Sequence, residues 1–173
     1  QAPWRNDKMK VKVAFYKGQG NWKHKIIRWW TKSPYSHVEL IMPDNYTWAS
    51  ISPLLTATVS KRIKTDFDLE SWDFVSLEIN EIQHEVIQDF FEETKGCKYD
   101  WIGMICSQLL PFHIKRKNKW YCSEWIAYAL RIAAVIDWRV IKIYDQSDLS
   151  PKKLYEIITT QKEEQQECLL ENS

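Results

Sequence analysis

Ser36-His37-Val38-Glu39-Leu40-Ile41-Met42 is the stretch on which the fold turns. Its branched and large apolar residues read as a β-strand, and Pro43-Asp44-Asn45 supplies the turn chemistry that closes it. Side chains alternate across a strand, so His37 and Glu39 share one face while Val38 and Leu40 take the other. A carboxylate beside an imidazole on a packed strand is a ready means of orienting a base.

Working outward, Tyr46 to Ile51 reads as the hairpin partner of this strand. Upstream, Val11, Val13 and Phe15 alternate with Lys10, Lys12 and Ala14, a strand that ends at Gly18-Gln19-Gly20-Asn21. Asn21 suits a helix N-cap, and Trp22, Ile26, Trp29 and Trp30 recur at helical spacing until Ser33-Pro34 stops the helix after Lys32. Residues 52–70 keep no period and read as a loop followed by a short strand. Trp72 to Ile79 alternates again. Ile82, Val86, Phe90 and Phe91 then mark an amphipathic helix from Glu81 to Lys95, ended by Gly96.

A second helix is expected from Asp100 through Trp101, Ile105 and Leu109, ending before Pro111, and a basic loop follows with His113, Lys115, Arg116, Lys117 and Lys119. Ile126, Ala129, Leu130 and Ala133 form the stripe of a third helix. Val140 to Tyr144 reads as a last strand, and Ser150-Pro151 opens a short helix through Ile158. The chain of 173 residues, 45% hydrophobic, fills one core without internal repeats, so one domain is expected over residues 1–160 with a frayed polar tail at 161–173.

Trp120-Tyr121-Cys122-Ser123-Glu124-Trp125 sets Cys122 at the start of the third helix. A helix N-terminus presents unpaired N–H groups and the positive end of the dipole, which favour a thiolate and can hold an oxyanion, worth roughly 3–4 kcal/mol for one good donor. A cysteine in a helix is ordinarily a small core residue. It is the combination with His37 on a strand and Glu39 beside it that points to a nucleophile, a base and an orienting carboxylate. Cys97, Cys106 and Cys168 read as structural or incidental. His24, His84 and His113 read as surface residues.

These residues resemble the circularly permuted branch of the NlpC-type papain-like superfamily, which includes YiiX-like proteins and the relatives of lecithin retinol acyltransferase. The likeness lies in Tyr35-Ser36-His37-Val38-Glu39-Leu40, in Gly96-Cys97-Lys98-Tyr99-Asp100 and in Tyr121-Cys122-Ser123-Glu124-Trp125, and it runs from about Val11 to Ile158. Histidine comes first and cysteine last, the reverse of papain. The resemblance implies an α+β fold in which a small antiparallel sheet bearing the histidine packs against the cysteine helix. It also implies thiol chemistry on an amide or ester through an acyl-enzyme, with Cys122 as nucleophile and His37 as base. Tyr99 and Asp100 match structural or site-lining positions, and Glu124 one that braces the helix start. Many members carry glycine where Glu39 stands and a third polar residue on the next strand, which falls here near Ala49 and Ser50. Glu39, Ser50 or neither is then the third member. The glycine-rich turn of the family is missing from Leu54 to Ser60.

Three functions follow as expectations: a peptidase or amidase on cell-wall peptidoglycan peptides, as in many bacterial and phage relatives; a lipid acyl hydrolase or acyltransferase with a groove of Trp29, Trp30, Trp101 and Leu109-Leu110; and a non-catalytic binding or virion component. The net charge of +1 hides nine basic residues against Asp7 alone from Arg5 to Lys32, and an acidic stretch from Glu163 to Glu171. The basic run suits either a solvated face or contact with an anionic polymer, membrane surface or phosphate-bearing substrate. No cofactor is expected, since the sequence has no C-x-x-C pair, metal-ligand spacing, phosphate-binding glycine loop or base-reading motif, which also ranks sequence-specific nucleic-acid binding low. No run of about eighteen uncharged apolar residues exists, and Gln1 to Lys8 has no apolar signal region, so solubility is expected, in a cytoplasm or a phage virion.

Overall fold

The computed structural model describes residues 8–18, 25, 28, 33–52, 56–100, 119–137, 139 and 149–171. Five strands form one antiparallel sheet: β1 (Met9–Tyr16), β2 (His37–Ile41), β3 (Thr47–Ile51), β4 (Val59–Ile63) and β5 (Trp72–Ile79). Their order is β4-β3-β2-β1-β5, so β1 lies between β2 and the distant β5. Three described α-helices follow, α1 (Glu81–Thr94), α2 (Cys122–Ile132) and α3 (Pro151–Glu171), giving an α+β fold.

Alternation along β1 explains its central place. Val11, Val13 and Phe15 enter one core with Val38 and Leu40 of β2, and the helices cover that face through Ile87 and Phe91 of α1, Trp125 and Leu130 of α2, and Leu154 of α3. Ala14 faces the other way, into a smaller cluster with Ile41, Trp48 and Trp72, where Trp48 and Trp72 meet edge to face at 5.2 Å. Every residue of β2 is therefore buried. The β2–β3 turn uses Asp44 Oδ1 to accept the Tyr46 and Thr47 amides, with Asn45 at φ 66°.

Helix α1 begins at Asn80 with a full capping box to Gln83 and ends before Gly96, whose φ of +82° suits glycine. Trp125 Nε1 of α2 donates to Thr94 Oγ1 at 2.9 Å in the interior between the two helices. Thr94→Val should leave that N–H buried without an acceptor and cost about 1–3 kcal/mol in urea denaturation, with the helix content unchanged by circular dichroism.

One expectation changes. The last helix does not stop at Ile158 but continues to Glu171, although its apolar stripe ends with Leu154, Ile157 and Ile158. Gln, Lys and Glu sustain a helix without packing, and Gln161 binds this one to the chain after α2 through Val135 O at 3.3 Å and the Asp137 amide at 3.1 Å. Gly96-Cys97-Lys98-Tyr99-Asp100 carries β6 (Lys98–Tyr99), which pairs in parallel with β7 (Lys119–Trp120). Ala57, before β4, stands at φ 53°. Of the helix expected over 21–32, Lys25 and Arg28 are described and helical. The helix expected after Asp100 and the strand expected at Val140–Tyr144 lie outside the described residues.

Candidate active site

Helix α2 opens on Tyr121, an N-cap residue whose side chain makes no cap hydrogen bond, because a tyrosine has no short acceptor to fold back on the first turn. Cys122 is the first helical residue and is 5% exposed. Ser123, fully buried, donates from Oγ to Leu149 O and so ties the helix start to the chain before α3. Glu124 lies in the first turn, where a negative charge complements the dipole. Pairing of β6 with β7 sets Tyr99 beside Trp120, and the Asp100 amide donates to Trp120 O at 2.8 Å. Burial, reinforced by the charges of Cys122, Tyr121 and Asp100, holds the Tyr99 phenol well above its usual pKa, so it stays a neutral hydroxyl.

His37 opens β2, and the residues before it are pinned. The Ser36 amide donates to Tyr16 O at 3.0 Å, the Tyr35 amide to Ser33 Oγ at 3.0 Å, and the Tyr35 hydroxyl to Asp73 Oδ2 at 2.8 Å. The imidazole is buried, its titration is governed by Cys122 and Glu39, and its Nε2 lies 3.5 Å from Glu39 Oε1. Nε2 makes no hydrogen bond among the described residues. Burial by itself lowers the His37 pKa, but the hydrogen bond to Cys122, the neighbouring Glu39 and the negative charge of both outweigh it and raise it to about 9.

Glu39 is 1% exposed. Its Oε1 accepts from Arg62 Nη2, a contact that sequence reasoning missed. Burial raises the carboxyl's pKa, yet His37 first, and Arg62 and Lys64 after it, outweigh that and hold it below the ordinary carboxylate range. Lys64 stands over the ring faces of Trp48 at 4.2 Å and Trp72 at 4.1 Å. Ser50 is also buried, and the Leu40–Ala49 register, continued by one residue, sets it opposite Glu39.

Cys122, His37 and Glu39, from two distant parts of the chain, thus meet at one end of the sheet. His84 lies elsewhere, 3.0 Å from Gln88 Nε2, and Cys97 is a half-buried free thiol. Trp29, Trp30, Trp101, Leu109 and Leu110 lie outside the described residues. Part of the basic run is neutralised from β5, where Lys8 pairs with Glu78 at 3.0 Å and Lys17 with Asp73 at 2.6 Å. Among the described residues no group of three or more His, Cys, Asp or Glu is placed to hold a metal ion, and no helix is long and apolar enough to cross a membrane. Searched against family models, curated proteins and solved structures, the chain matches none.

Proposed function

We propose that the protein is a thiol hydrolase of papain-like architecture that cleaves an amide bond through an acyl-enzyme, with peptides of cell-wall peptidoglycan the first substrate class to try. The observation that carries this reading is the buried chain Cys122–His37–Glu39 at a helix start whose N-cap side chain leaves the first amides uncapped. Transfer of the thiol proton to His37 gives a thiolate, which attacks the substrate carbonyl carbon. A C–S bond forms, and the carbonyl electron pair moves to oxygen, where the amides of the helix start offer hydrogen bonds. Collapse breaks the C–N bond as His37 gives its proton to the departing nitrogen. Water, losing a proton to His37, then attacks the thioester, releasing the acid and restoring the thiol.

Acid quenching during turnover of a panel of N-acyl amides, activated esters and peptidoglycan peptides, followed by intact-mass and peptide mapping, should find the acyl mass on the peptide carrying Cys122. A panel with no acyl adduct and no product, together with Cys122 reactivity like that of a free thiol, would sink the reading in favour of a binding protein.

A further inference from the structure

A carboxylate that is 1% exposed must be compensated, because an unpaired charge in the interior costs several kcal/mol. Glu39 has two claimants on one oxygen: Arg62 donates to Oε1, and His37 Nε2 stands 3.5 Å from that same atom. Arg62 belongs to β4, two strands from β2 in the sheet, so its side chain crosses roughly 10 Å over β3 to reach Glu39. Residue 62 pairs with Trp48 on the intervening strand, and Lys64 of the same β4 edge rests on the Trp48 and Trp72 rings. The groups facing the imidazole are Cys122 from α2 and Glu39 from β2, those facing Glu39 are His37, Arg62 and Lys64, and Cys122, Tyr121 and Asp100 lie around Tyr99.

Proton transfer to the leaving nitrogen requires that His37 release a proton while Glu39 stays ionised beside it. With no guanidinium on Oε1, that release would strand a buried carboxylate, and the imidazole would hold its proton too tightly to act as a general acid near neutral pH. With Arg62 in place, the carboxylate remains paired before and after transfer. We propose that Arg62 is a positioning residue of the reaction, whose guanidinium shares Glu39 Oε1 with His37 and keeps the imidazole proton transferable to the leaving group. His37 then faces a Glu39–Arg62 dipole in place of a full negative charge. This rests on the thiol-hydrolase reading, but the charge arrangement can be measured without it.

The test is a titration of the His37 ring by NMR on ¹⁵N-histidine-labelled full chain, in the Cys122→Ala background so that the midpoint belongs to the imidazole alone. A His37→Ala spectrum assigns the signal among the four histidines. Adding Arg62→Met should raise the midpoint by roughly one unit. Adding Glu39→Gln should lower it below the parent, and the Glu39→Gln/Arg62→Met pair should fall between Glu39→Gln and the parent. In the chain that retains Cys122, Arg62→Met should move the alkaline limb of kcat/KM in the same direction and lower kcat at pH 7. A midpoint at or below the parent in Arg62→Met overturns the proposal. If that variant does not fold, the double variant decides, because it leaves no buried carboxylate unpaired: a midpoint at or below that of Glu39→Gln overturns the proposal equally. Loss of activity on Cys122 substitution tests the hydrolase reading separately.

Discussion

Cys122→Ala should lower kcat/KM by a factor of thousands or more while the fold survives, measured as hydrolysis of whichever substrate yields the acyl adduct and as the thermal midpoint. On the proposed mechanism the sulfur is the atom that forms and later breaks the bond to the acyl group, and among the described residues the other free thiol, Cys97, lies outside the group formed by His37 and Glu39. The structural cost is small. Cys122 is 5% exposed at the first helical position, alanine is the best helix former, and losing one sulfur from this site costs on the order of 1 kcal/mol. Activity within tenfold of the original would remove Cys122 from the mechanism.

His37→Ala should change the chemistry of Cys122 as well as the turnover. In the original protein, iodoacetamide alkylation mapped to Cys122 should stay rapid through neutral pH and change as His37 loses its proton near pH 9. In His37→Ala the rate at pH 6–7 should fall by at least about tenfold and climb only as a free thiol's does, toward the reference value of about 8.5. Folding stability carries a matching signature. The folded-state pKa lies above the ordinary histidine value of about 6.5, so the contribution of His37 is complete below about 6.5 and disappears as pH rises through about 9. The urea midpoint should decline across that window in the original chain and lose this component in the variant. Identical alkylation profiles in the two proteins would mean that His37 has no chemical consequence for Cys122.

The parts of this arrangement that could be read from the chain are those with local causes. Val11, Val13 and Phe15 alternate because one strand has two faces, and the same rule put His37 beside Glu39. Asn80 and Gly96 bound α1 by capping chemistry written in a few residues. Arg62 was illegible for the opposite reason: it lies in 52–70, where no period persists, and its partnership with Glu39 depends on the order β4-β3-β2. The β6–β7 pair is two residues long on each side and too short to show a period. The helix after Ile158 lost its apolar stripe, the main signal for a helix, while keeping residues that favour one.

The order of elements also bears on how such a site comes into being on the ribosome. All five strands of the sheet precede α1, α2 and α3, so a growing chain holds the base and its carboxylate long before the sulfur emerges. Until α2 docks, the sheet face bearing Val38 and Leu40 lacks Trp125 and Leu130, and a nascent chain at that stage is a client for chaperones and has no thiol beside His37. The helix that brings the thiol is also one that covers the core, with only α3 still to follow, so on the proposed mechanism the nucleophile arrives late in the assembly of the fold.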